Sequence, residues 1–309
     1  MKSRIGTWES GSRQQDLEID MEELQSAIEG VQGTVGFAAK HLETGQQLSH
    51  NADSIFFTAS TLKVPLLTEL YRQVDEGYIN LSERIELSDD LRVPGSGVFK
   101  ELATGLQPTV RDAAMLMIII SDNTATDALM EMVGRESLHD TMQKWGLLQT
   151  RIPMSVRQLL YSAVDLDPEN ADHTFALCSD RLFKGRFNLS ADAYDEAKSD
   201  VSSPADMSRL LELLQSGDIL SPESTADALD ILKRQQLRTV IPHALPIGTS
   251  AAHKTGFYLG VRADVGIVSG PNGPYTIAIM AKNITASDRV KVDLSLSAIS
   301  AAIYRAFTS

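Results

Sequence analysis

The two ends of the chain read as β-structure and the long middle does not, and this distribution limits the possible folds most. Residues 34–42 are rich in β-formers, Glu43-Thr44-Gly45 reads as a turn, and 46–52 pairs back as a hairpin. Near the other end, 253–255, 263–268 and 275–281 are short β-type runs, with a turn at 270–273 between the last two. Helical spacing fills the interval. Residues 60–76 carry Leu62, Val64, Leu66, Leu67, Leu70 and Val74 and stop at Gly77. Further helices are expected over 110–120 with Thr109 as N-cap, over 123–133, 137–145 and 156–164, over 204–214 behind Ser203, and over 221–235. An amphipathic helix is expected over 16–31 and a closing helix over 293–307, with 1–15 as a disordered lead. Residues 165–200 are polar, contain Pro168 and show weak periodicity, so they read as an insertion or long loop. If the terminal strands meet, the fold class is α/β of the α+β kind. An antiparallel sheet flanked by helices would then hold an inserted helical lobe. The expected division is 16–58 plus 237–309 for the sheet lobe and 59–236 for the helical lobe.

The totals exclude several functions. A formal net charge of -13 over 309 residues argues against nucleic acid as a partner. Cys178 is the only cysteine, so no intrachain disulfide forms, and nothing in the sequence points to a base that would activate its thiol. No stretch approaches the roughly 18 apolar residues of a membrane span, so no membrane partner is expected. The N-terminus lacks an apolar signal region; as written this suits the cytoplasm, with a periplasmic or secreted location open if a leader was removed. The six histidines form no metal-binding pattern and no dinucleotide fingerprint follows a strand, so no metal or other cofactor is expected.

Three short elements carry chemistry. In Ser60-Thr61-Leu62-Lys63, positions i and i+3 share a helical face, which brings the Lys63 amine to the Ser60 hydroxyl. A serine needs a base to attack a carbonyl, and a lysine of lowered pKa can serve. Ser121-Asp122-Asn123 follows an apolar helix and can present Ser121 as a proton relay and Asn123 as a substrate-amide holder, with Asp122 bracing the turn. Lys254-Thr255-Gly256 lies in a β-run. There Lys254 offers positive charge to a substrate carboxylate, Gly256 permits close approach, and the Phe257 amide can join that of Ser60 as an oxyanion hole. Each element alone has an ordinary structural reading as a helix start, a turn or a strand end. All three in this order, in suitable elements, point to acyl transfer through a serine.

With these motifs the chain resembles the superfamily of class A β-lactamases and penicillin-binding proteins, whose motif set is the same. Phe57-Thr58-Ala59-Ser60-Thr61-Leu62-Lys63 is similar to the nucleophile segment of that family. So are Thr109-Val110-Arg111-Asp112 leading to Ser121-Asp122-Asn123-Thr124-Ala125, and Leu245-Pro246-Ile247-Gly248 before His253-Lys254-Thr255-Gly256. The resemblance covers about 20–160 and 200–309. It implies an α/β lobe built from both chain ends and an inserted helical lobe, with the site between them. Ser60, Lys63, Ser121 and Lys254 are the implied catalytic residues, and Asn123, Thr255, Gly256 and Phe257 the implied substrate-binding ones. The substrate would be a small molecule with an amide or ester carbonyl and a carboxylate.

The chain departs from the class A pattern at one place. Those enzymes carry a glutamate in an E-x-x-x-N stretch, and it holds the water that frees the acyl-enzyme. The matching stretch here, Thr150-Arg151-Ile152-Pro153-Met154-Ser155-Val156-Arg157, has no acid. Glu169, followed by Asn170 in the insertion, is the first substitute to consider. The arginine that faces the substrate carboxylate in the family has Arg262 as its nearest counterpart. Three activities follow as expectations: β-lactam hydrolysis, an ester- or peptide-selective hydrolase, and a sensor that stays acylated.

Overall fold

The computed structural model describes residues 21–309. In chain order its elements are α1 (Met21–Gly30), β1 (Thr34–His41), β2 (Gln47–His50), β3 (Phe56–Phe57), α2 (Lys63–Asp75), α3 (Val110–Ile119), α4 (Asn123–Val133), α5 (Arg135–Lys144), α6 (Val156–Ala163) and α7 (Phe175–Phe183). They continue with β4 (Val201–Ser202), α8 (Pro204–Ser216), α9 (Pro222–Lys233), β5 (Ser250–Tyr258), β6 (Val261–Gly270), β7 (Gly273–Lys282) and α10 (Arg289–Thr308). The expected lead over 1–15, and the start of the expected 16–31 helix, lie outside the described residues. The chain divides into two compact units. Of the described residues, one holds Met21–Thr61, Ser202–Ser216 and Leu237–Ser309; the other holds Leu62–Val201 and Gly217–Gln236.

The first unit is built on a five-stranded antiparallel sheet of order β2-β1-β7-β6-β5. The chain ends do meet: β1 pairs with β7 from Thr34↔Lys282 to His41↔Tyr275. β6 and β7 are buried along most of their length because helices cover both faces, which is why their sequences run apolar rather than alternating. On α10, Val292, Leu296, Ile299, Ile303 and Phe307 recur at three- and four-residue intervals and are buried in a common core with Phe37, Ile277 and Ile279.

Helix α8 corrects the expected division, which placed it in the helical lobe. Its apolar Met207, Leu210, Leu211 and Leu214 are buried, and its polar residues bind the sheet unit. Ser208 Oγ and Thr276 Oγ1 are 2.7 Å apart, and Lys40 Nζ donates to Glu212 Oε1 at 2.6 Å. An amphipathic pattern shows that a helix has a buried face, not which element covers it.

The second unit is helical. α2 is buried on nearly all sides, from Lys63 through Tyr71, as an apolar central helix should be. Thr109 caps α3 as expected: its hydroxyl accepts from the Asp112 amide and the Asp112 carboxylate accepts from the Thr109 amide. The 165–200 segment is more ordered than its polarity suggests. It contains α7, capped by Thr174, and buries Cys178 against Tyr161, Val164 and Leu166.

Candidate active site

In the second unit, the first turn of α2 and the junction of α3 with α4 bring three expected residues together. Lys63 is fully buried, and its Nζ donates to Ser121 O at 2.8 Å, to Ser121 Oγ at 3.0 Å and to Asn123 Oδ1 at 2.9 Å. Ser121 holds its backbone at φ 60°, the left-handed region that a non-glycine residue occupies only under constraint. The constraint comes from Asp122. Its carboxylate accepts from the Val98 amide at 2.6 Å, the Phe99 amide at 2.8 Å and the Ala125 amide at 2.9 Å, so the turn between two helices is fixed. Asp122 thus braces the turn, as the sequence suggests.

Ser96 belongs to the same cluster and the motifs did not point to it. Its hydroxyl donates to Ser121 O at 2.7 Å, and its carbonyl accepts from the Asn123 amide at 3.1 Å. The available signal was the run Pro94-Gly95-Ser96-Gly97. Gly97 has φ +108° and a Cβ there would lie 2.3 Å from the Asp122 carboxyl carbon, so only glycine lets this segment close on the triplet.

In the first unit, Ser60 is half-buried within a single 3-10 turn, Ala59–Leu62, rather than in the first turn of the α-helix, which begins at Lys63. Ala59 is left-handed at φ 45° and aims the chain into that turn. Strand β5 lies against it. A Cβ on Gly256 would sit 2.8 Å from Thr58 O and 3.0 Å from both the Ser60 and Thr61 amides. Thr255 is buried, and no hydrogen-bond partner for its hydroxyl is found among the described residues. Phe257, by contrast, is exposed at the strand end with the Arg262 and Arg289 guanidinium carbons 4.9 and 4.7 Å from its ring centroid. Arg262 itself is buried and donates to Asp293 at 2.8 Å.

Lys254 is fully buried with Nζ 2.6 Å from Thr255 O, and burial pulls its pKa down to about 7, with the Asp264 carboxylate acting in the opposite direction. An ammonium so placed gives up its proton more easily than an exposed lysine does.

Glu169 is not brought into either group. It is exposed, with its amide bonded to the Asp167 side chain at 2.9 Å. The 154–157 stretch is instead gripped by two aspartates that sequence reading passed over, half-buried Asp127 and buried Asp200. Asp127, one turn beyond Asn123 on α4, accepts from the Val156 and Arg157 amides, both at 2.8 Å, and Asp200 accepts from the Met154 amide at 3.0 Å. Burial, helped by the charge of Asp127, pushes the Asp200 carboxyl up to about 8, so it is largely protonated at neutral pH.

A sheet assembled from both chain ends, a helical unit inserted between them and the set S-x-x-K, SDN and KTG together define an active-site serine hydrolase. A model of the β-lactamase enzyme family matches residues 21–307, and the chain belongs to that family. A β-lactamase from Sphaerobacter thermophilus has a similar structure, with TM-score 0.76 and 28% identity over 94% of this chain and 98% of that one. A mutant of PBP-A, solved as an acyl-enzyme complex with penicillin G, matches with TM-score 0.73 and 29% identity over 94% of this chain and 98% of its own. Among curated proteins, the β-lactamase regulatory protein BlaB of Streptomyces cacaoi is 23% identical over 87% of this chain and 90% of its own length.

Proposed function

We propose that this chain opens a β-lactam or related cyclic amide through an acyl-enzyme on Ser60. The observation that carries the reading is the buried Lys63 amine bonded to both Ser121 Oγ and Asn123 Oδ1. Lys63 takes the proton of Ser60 as its Oγ bonds to the substrate carbonyl carbon. The Ser60 and Phe257 amides stabilise the oxyanion. As the carbon–nitrogen bond breaks, Ser121 gives its proton to the departing nitrogen and is resupplied from Lys63 or Lys254. Asn123 orients the substrate amide, and Thr255 and Lys254 take its carboxylate. Water then attacks the ester carbon and returns the proton to Ser60.

The last step is the one whose expected acid is missing from the 150–157 stretch. Position 156 is valine and position 157 arginine, and their amides are bound to Asp127 rather than to a water-holding glutamate. This supports slow release of the acyl group, and with it an ester- or peptide-selective hydrolase or a β-lactam sensor as the second reading. An intact-mass time course with a penicillin and a cephalosporin, following adduct and free drug together, separates them. Rapid drug loss with a fleeting adduct supports hydrolysis; a persistent adduct supports the second reading. Ser60→Ala should remove adduct and turnover alike, and activity surviving in it would displace Ser60 as nucleophile.

A further inference from the structure

Behind the strand that carries Lys254 lies a buried polar group to which the reaction assigns no part. His253 and Asp264 are both fully buried, and His253 Nδ1 is 2.9 Å from Asp264 Oδ1. The other oxygen, Asp264 Oδ2, accepts from the Ile241 amide at 2.9 Å. Ser300 on α10 donates to Ile241 O at 2.9 Å, which fixes the segment supplying that amide. Gly266 is required opposite His253, because a Cβ there would lie 2.5 Å from the His253 Cβ and 2.6 Å from Ala252 O. In the β5–β6 register Asp264 stands across from Thr255, and Lys254 across from Val265. The carboxylate and the ammonium therefore occupy neighbouring positions of one strand pair, on opposite faces.

A carboxylate costs several kcal/mol to bury without a compensating charge. Here it is held by one imidazole and one amide. The ammonium of Lys254 is buried as completely and would lose its proton more easily without an anion nearby. On one face of this strand pair the Asp264 carboxylate meets His253 from β5 and the Ile241 amide, which Ser300 of α10 holds through the Ile241 carbonyl; on the face that carries Lys254, Gly256 lies against the Ser60 turn. Of these, Asp264 carries the opposing charge.

We propose that Asp264 is a positioning residue that acts through Lys254, holding it in the charged form across the sheet, and that His253 serves to fix the orientation of this carboxylate. The role of Lys254 in acylation rests on the function proposed above; its electrostatic coupling to Asp264 does not.

The test uses the full chain and Asp264→Asn, which keeps the shape and removes the charge. In lysine-labelled protein, with Lys254 assigned by loss of its signal in Lys254→Arg, NMR should show the Lys254 midpoint at least one pH unit lower in Asp264→Asn. Penicillin acylation of this variant should approach the wild-type rate at pH 6 and fall at least tenfold below it at pH 8. His253→Asn, which retains a donor to Asp264, should keep the wild-type Lys254 midpoint. An unmoved midpoint in Asp264→Asn, a rate lowered by the same factor at every pH, or an equal shift in His253→Asn would each overturn the proposal. Should Asp264→Asn not fold, the Asp264 carboxyl carbon of the wild type must inflect at the Lys254 midpoint, and a flat response there refutes the coupling. A wild type that forms no penicillin adduct would refute the proposed function, while the NMR titration would still decide the coupling.

Discussion

Two residues meet what this chemistry needs by standing in unfavourable backbone regions. Ala59 and Ser121 both have positive φ, at 45° and 60°, and each conformation costs on the order of 1–2 kcal/mol. Both are held by neighbours rather than by their own preference. The motifs themselves were legible because Ser60 with Lys63, and Ser121 with Asn123, are close in sequence. Ser96, Asp127 and Asp200 were not, because tertiary contacts bring them in and their spacing along the chain has no pattern to read. The contact of Gly256 with the 58–61 turn makes a sharp prediction. Because the clashing atoms are backbone, Gly256→Ala should cost about 1–3 kcal/mol in urea unfolding and slow acylation. Full stability and a normal rate would show that the turn yields easily. Lys63→Ala should slow acylation by about 10²–10⁴-fold, read as adduct formation in a rapid-quench series. An unchanged rate would move the base elsewhere.

Among the elements, the 154–157 stretch behaves as a hinge pin held by two acids. The Asp200 carboxyl is raised from the usual carboxylate range to about 8 by burial first, then by Asp127. Asp127 is also raised, by burial, against the pull of the Arg157 and Val156 amides and the Lys63 charge. A raised folded-state pKa means the folded chain holds a proton that the unfolded chain releases near pH 4. The resulting stability is complete below that pH and disappears as pH rises through about 8. The urea midpoint should therefore fall between pH 6 and pH 9, by at most about 3 kcal/mol in stability, and Asp200→Asn should flatten that slope. A wild-type midpoint independent of pH in this range would refute the buried proton. α7 shows what element-level reading missed. Thr174 is an adequate cap, but Pro168 and the acids before it hid a nine-residue helix whose apolar side is covered by α6 and the following loop.

For the molecule as a whole, the strands at both ends and the helices between them were enough to give the class of fold. They were not enough to assign α8, because periodicity is silent about which partner a face meets. Cys178 offers a probe of the helical unit as a body. Its thiol is fully buried and pushed up to about 12 by burial, so it should resist thiol reagents in the native state and react only as the insertion opens. Labelling that tracks the global unfolding rate would mean the insertion opens only with the rest. Labelling well ahead of it would make the insertion a separate, weaker unit.

The pairing of β1 with β7 has a consequence for how the chain is made. The two strands are joined along Thr34↔Lys282 to His41↔Tyr275, so the ribosome releases one long before it has synthesised the other. During that interval the helical unit can complete itself from its own residues, while β1 and β2 wait with an open edge and an apolar face exposed. Production of this protein should therefore be limited by the emergence of β7 and α10, and truncations that remove them should aggregate although every motif for the chemistry is present.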